Sequence, residues 1–186
     1  MSTLTVSRHF VEASLSGAER LSLDGRALLQ EAGISPDLLR IEMARVSSDQ
    51  FSKLMQVIWQ RTGDEFMGMG PRRARSGTFA TMCALVVSCQ TLEEVYQQAY
   101  RFSRLFEPMV SMELEILDDY ARLVTRIEGS IHDPDYFLRE SILVIWHRLG
   151  SWLIGQPVEL EKAEFDYPRP DHGDEYRHIF HCPLAF

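Results

Sequence analysis

The apolar periodicity of this chain changes once, from about 3.6 residues to 2, and that change limits the fold more than any other feature. Up to Phe106 the apolar residues recur at helical spacing. Beyond Glu107-Pro108, Val110, Met112, Leu114 and Ile116 alternate with Ser111, Glu113 and Glu115. Asp118-Asp119 supplies a turn. Ala121, Leu123, Thr125 and Ile127 then alternate with Arg122 and Arg126. This pattern predicts a half-buried antiparallel hairpin.

The part before the switch reads as helices. Ser7 to Leu15 forms a short one. Asp24 caps a second, with Ala27, Leu28, Leu29 and Ala32 on its apolar face and Gly33 as its stop. Ser35-Pro36 opens a short helix to about Ile41. Ser47-x-x-Gln50 has capping-box form, and Phe51, Leu54, Met55 and Ile58 follow on one face, ending near Thr62-Gly63. Asp64 to Arg75, with two glycines and three arginines, reads as a loop. Thr78 to Ser88 is almost uncharged and predicts a buried helix, although Leu85-Val86-Val87 alone also suits a strand. Thr91-x-x-Glu94 is a second capping box. Its helix carries Leu92, Val95, Tyr96, Ala99, Phe102 and Phe106 in phase, and Glu107-Pro108 stops it.

After the hairpin, Asp133-Pro134 opens the longest helix, with Leu138, Ser141, Ile142, Ile145, Leu149 and Trp152 on one stripe and Gly155 and Pro157 at its end. Arg139, Glu140 and Arg148 fall on its polar side. Val158 to Tyr167 returns to strand character with a bulge between Leu160 and Ala163. Pro168-Arg169-Pro170 breaks the chain, Tyr176, Ile179 and Phe180 suit a short helix, and Pro183 to Phe186 starts a strand. The expected architecture is α+β: an N-terminal helical layer packed on a small antiparallel sheet, with β-β-α-β-α-β order in the second half. At 186 residues a single domain over 1–186 is expected.

A formal charge of -8 disfavours direct contact with phosphate backbones, which require clustered Lys and Arg. Cys83, Cys89 and Cys182 form no C-x-x-C, and reduced thiols in a cytoplasm are expected. The start MSTLTVSRHF lacks the pattern of a signal peptide, and no apolar run has the length of a membrane span. Among catalytic motifs, G-x-S-x-G, H-E-x-x-H, G-x-x-x-x-G-K-[ST] and G-x-G-x-x-G are all missing, so no enzyme activity and no cofactor are expected.

Three segments, taken in order, resemble a known family. Asp64-Glu65-Phe66-Met67-Gly68-Met69-Gly70 is similar to a D-x-x-x-G stretch. Ser88-x-x-Thr91-Leu92-Glu93-Glu94, continuing to Tyr100-Arg101-Phe102, is similar to a helix start. Phe165-Asp166-Tyr167-Pro168-x-Pro170, then Tyr176-x-x-x-Phe180-x-Cys182-Pro183-Leu184-x-Phe186, is similar to a closing signature. Together they resemble the N-terminal effector-binding domain of AraC/XylS-type bacterial transcription regulators, in its mostly helical subgroup. The resemblance implies a sensor of a small-molecule effector, able to form a homodimer, that reaches DNA only through a separate C-terminal helix-turn-helix domain. The subgroup often has another glycine near Phe79 to Cys83, where this chain has only Gly77.

Candidate ligand contacts follow from residue type. Arg72, Arg73 or Arg75 can clamp an anionic effector through bidentate hydrogen bonds, and they equally suit a solvated loop. Trp146-His147 sits on the long helix; His147 can meet a ligand or bond a neighbouring carbonyl. His172, His178, His181 and Cys182 are residue types that bind zinc, but H-x5-H-x2-H-C matches no metal-site spacing, and no metal is expected. Phe79, Met82, Phe102, Phe106, Met109, Met112 and Tyr120 form an apolar set at the junction of helices and sheet, where an apolar pocket is best placed. The expected ligand-binding residues are Arg75, Phe79, Met82, Phe102, Phe106, Tyr120, Trp146 and His147.

Overall fold

The computed structural model describes residues 5–105 and 109–186. Phe106, Glu107 and Pro108, and with them the expected helix stop and one candidate pocket residue, lie outside the described residues. The chain divides into two compact units, Met1–Leu138 and Arg139–Phe186.

In the first unit, strand β1 (Thr5–Ser7) leads directly into helix α1 (Arg8–Arg20), which extends beyond the expected end at Leu15. Helix α2 (Gly25–Glu31) starts at Asp24, whose carboxylate accepts the Arg26 amide at 2.9 Å. A short 3-10 helix covers Pro36–Arg40. Strand β2 (Arg45–Ser47) pairs antiparallel with β1, Val6 opposite Val46. Helix α3 (Ser48–Thr62) begins with the expected capping box. The Ser47 hydroxyl accepts the Gln50 amide at 3.2 Å, and the Gln50 carbonyl accepts the Ser47 amide at 3.1 Å. Gly63 ends the helix in the left-handed region. Val11, Leu15, Leu29, Val46, Leu54 and Ile58 make the buried centre of this helical layer.

Helix α4 (Thr78–Val86) and helix α5 (Leu92–Ser103) pack on each other, and α5 packs on strand β3 (Val110–Ile116). Strand β4 (Ala121–Ile127) completes the hairpin in the expected register, from Val110 opposite Ile127 to Ile116 opposite Ala121. Cross-strand pairs Glu113–Arg126 and Glu115–Arg122 lie on its exposed face. At α5 the capping box is half made: Thr91 accepts the Glu94 amide, while the Glu94 carboxylate reaches Gln90 instead of Thr91. The expectation that Thr78 to Ser88 is buried does not hold. α4 buries only Met82 and Val86 and leaves Phe79, Leu85 and Val87 exposed.

Helix α6 (Phe137–Ile154) starts three residues after the expected Asp133-Pro134 opening, and the Asp133 carboxylate still accepts the Leu138 amide at 2.9 Å. Its apolar stripe is not continuous cover: Leu138 and Ile142 are buried, but Ile145 and Trp152 are exposed. In the second unit the expected strand from Val158 to Tyr167 contracts to β5 (Ala163–Glu164). Helix α7 (Glu175–Phe180) and strand β6 (Leu184–Ala185) follow, and β6 lies parallel to β5. The β-β-α-β-α-β order of the second half is therefore present, with the strands paired two by two. The architecture is α+β.

Candidate functional site

The second unit is organised around a buried acid. Glu140, in the first turns of α6, is 2% exposed although its helical phase suggested the solvent side. Its Oε1 accepts a hydrogen bond from His172 Nε2 at 2.6 Å and another from the Tyr176 hydroxyl. Because the Tyr176 hydroxyl donates its hydrogen bond to Glu140, Tyr167 donates to the Tyr176 oxygen, at 3.1 Å. A carboxyl group in this position is tolerated because its oxygen is matched by polar hydrogens. Burial, then the bond to Glu140, push the Tyr176 hydroxyl well above the ordinary phenol range. Around this network Phe165, Tyr167, Tyr176, Phe180 and Phe186 pack as one aromatic cluster; Phe165 stacks on Phe186 with centroids 5.0 Å apart.

The network fixes the segment that forms an open groove. The groove has a volume of about 480 Å³ and is lined by Arg169, Arg177, His181, Cys182, Leu184 and Phe186, together with Pro183. Arg177 and His181 are four residues apart at the end of α7, which puts both on one wall. His181 takes a left-handed conformation, φ 53°, and so ends α7 and turns the chain into β6. Arg169 reaches the same groove across the turn at Gly173. A Cβ on Gly173 would come within 2.9 Å of Arg169 Cγ and 3.0 Å of the Pro170 carbonyl, so glycine leaves the room that the arginine stem needs. Arg169 Nη2 donates to Asp174 Oδ1 at 2.6 Å. Leu184 and Phe186 add apolar lining. Burial raises the Cys182 thiol, against a smaller opposing effect of a backbone hydrogen bond from Ala163, so this side chain lines the groove as a neutral thiol. Two guanidinium groups and an imidazole beside apolar side chains suit a carboxylate on an apolar body.

The family model described as the arabinose-binding domain of AraC transcription regulators, N-terminal, matches residues 23–186. This chain belongs to that family. A curated relative, the ornithine utilization regulator of Pseudomonas aeruginosa, is 22% identical over 178 residues, which is 95% of this chain and 52% of the relative. The chain thus spans about half the length of the curated relative it matches.

Each sequence segment that resembles the AraC-type domain has a structural reason. Asp64 is buried, and its carboxylate accepts the amides of Phe66, Gly68 and Ala74 at 3.0, 2.9 and 2.8 Å. Gly68 (φ 81°) lies against Gly17 of α1, where a Cβ on either would overlap the other's loop or helix. Arg20 secures the same loop by donating to the Gly68 and Gly70 carbonyls. Glu65 accepts the amides of Gly77 and Phe79, at 2.7 and 2.9 Å, and so fixes the start of α4 where the subgroup's additional glycine is missing. Thr91 caps α5. The closing signature supplies the aromatic cluster and the groove.

The expected ligand residues are only partly brought together. Met82, Met109 and Met112 are buried at the meeting of α4, α5 and the hairpin, and Phe102 is half-buried there. Phe79 is exposed on α4, Arg75 is exposed in the preceding loop, and Tyr120 is exposed at the hairpin end. In the second unit Trp146 is half-buried, and His147 Nε2 donates to the Val158 carbonyl at 2.8 Å. Its Nδ1 is buried without a hydrogen-bond partner among the described residues. His172 is committed to Glu140, and among the described residues no group of three or more His, Cys, Asp or Glu is placed to hold a metal ion. Sequence reasoning missed Arg169, Arg177 and Glu140 as site-building residues. For Arg169 and Arg177 the one available signal was their position inside the closing signature; Glu140, on α6, had none.

Proposed function

We propose that residues 1–186 act as one effector-sensing domain of a one-component AraC-type transcription regulator. It binds a small effector with an apolar body and a carboxylate, and the bound state controls a separate DNA-binding domain. The observation that carries this reading is the family match over residues 23–186. The net charge of -8 fits a domain that leaves DNA contact to another part of the regulator. In this reading the domain works in the cytoplasm, holds no cofactor and catalyses no reaction. A ligand governs such a module only through its different affinity for the two states.

We put the effector in the groove of Arg169, Arg177 and His181; this is supported by two guanidinium groups and apolar side chains lining one open volume. The alternative is the set Arg75, Phe79, Met82, Phe102 and Tyr120, or the Trp146–His147 pair of the second unit. Calorimetry against aromatic and straight-chain monocarboxylates, their amides and ornithine separates these. Ornithine is included because the relative is named for its utilization and it carries the same anionic end. A monocarboxylate is expected to bind and its amide not to. Arg177→Ala should weaken the tightest binder by about tenfold or more, with the melting temperature unchanged, and Arg75→Ala should leave affinity as it was. The reverse pattern moves the effector to the set that includes Arg75. No response to any carboxylate removes this class of effector.

A further inference from the structure

The two arginines of the groove are not equally available to a ligand. The lining contains Arg169, Arg177 and His181 and no acidic side chain. Arg177 is exposed, and among the described residues its guanidinium makes no hydrogen bond or ion pair. Arg169 is already engaged: its Nη2 donates to Asp174 Oδ1 at 2.6 Å. Asp174 holds the N-cap position of α7, where an aspartate ordinarily accepts an amide of its own helix. Its side chain makes no such bond and goes to Arg169 instead. The groove therefore offers one open guanidinium and one that is compensated.

We infer that Asp174 is a specificity-determining residue, which limits the effector to a single carboxylate. This rests on the reading that the effector lies in this groove. Arg177 takes the carboxylate. Arg169 is neutralised by a residue outside the lining and does not call for a second anion. A dicarboxylate reaches Arg169 only by competing with Asp174. Displacement leaves the aspartate unpaired close to the ligand's own charge, and like charges at that range repel. Asp174 thus acts on the effector through Arg169. The pair is exposed, with side chains 50% and 81% accessible, so it has the strength of a surface ion pair. The discrimination it gives is several-fold, not absolute.

Calorimetry with two series of probes tests the assignment: straight-chain monocarboxylates and α,ω-dicarboxylates of about four to eight carbons, near neutral pH, where their carboxyl groups are ionised. The range of lengths lets a dicarboxylate span the two guanidinium groups. The unaltered chain should bind the best monocarboxylate about threefold or more tighter than the best dicarboxylate. Asp174→Asn should move that ratio at least about fivefold towards the dicarboxylate, and Arg169→Gln added to it should move the ratio back. The melting temperature of Asp174→Asn should hold, since no cap bond is lost. A ratio that Asp174→Asn leaves unmoved overturns the inference. So does a shift that survives Arg169→Gln, or an unaltered chain that prefers the dicarboxylate. In those cases, monocarboxylate binding that is lost in Arg177→Ala leaves the groove as the effector site. No binding of either series, or binding that Arg177→Ala leaves intact, removes the groove reading and this inference with it.

Discussion

Each unit contains a buried acid, and the two are stabilised differently. Asp64 is held by backbone: three amides of its own loop converge on both carboxylate oxygens. Glu140 is held by side chains from about thirty residues away, His172 and Tyr176, with both of these bonds on Oε1. Backbone donors cannot be mutated away and do not titrate in the accessible pH range. Side-chain donors can do both. The first arrangement is therefore a fixed piece of loop architecture, and the second depends on the identity and protonation of its partners.

Three measurements sharpen or break this contrast. The largest effect is expected from Asp64→Asn. The amide has one acceptor oxygen where the loop uses two, so at least one buried N–H faces an NH2 group. A loss of roughly 2–4 kcal/mol in urea unfolding is expected. An unchanged midpoint would mean that the loop amides find other acceptors. Glu140→Gln should cost less, roughly 1–2 kcal/mol, because its carbonyl can take both bonds and only their ionic assistance is lost. If it matches or exceeds Asp64→Asn, the two sites do not differ as described.

The smallest effect at neutral pH, and the most specific, belongs to Tyr176. Its hydroxyl is raised above 10.0, the ordinary value. The folded chain then keeps a proton that the unfolded chain releases. The stabilisation is complete below pH 10 and declines as pH rises beyond it. Tyr176→Phe should cost about 1 kcal/mol at neutral pH and flatten the alkaline decline. An identical alkaline profile in the variant would assign the decline to other groups.

Much of the local structure was legible. The capping box at Ser47, the cap at Asp24 and the alternation from Val110 to Ile127 act within a few residues, so the sequence pattern contains all their partners. The β1–β2 pair was not legible, because three-residue strands show no alternation and Thr5 meets Ser47 across α1, α2 and the 3-10 helix. Glu140 reads as solvent-facing because helical phase is local and its donors, His172 and Tyr176, are remote. Hydropathy failed at α4 for a related reason: an apolar helix signals burial only where something is present to cover it. At the candidate site, sequence reasoning named residues between Arg75 and His147, while the groove lies in the segment that carried only the family resemblance. That resemblance could not reveal that Arg169, Arg177 and His181 share one groove, which depends on the turn at Gly173 and the left-handed His181.

The Asp64 hub also decides where this loop can change in length. Its spokes end at Phe66, Gly68 and Ala74, and the arc between the last two is pinned early, since the His132 amide bonds the Met69 carbonyl and Gly70 lies against Met109. Insertions between Asp64 and Gly68 would displace amides from the carboxylate. Between Arg72 and Arg73, both exposed, an added residue widens the arc and leaves every spoke in place. Variation in length within this domain family has room there, and a reporter peptide grafted into the loop belongs at that joint.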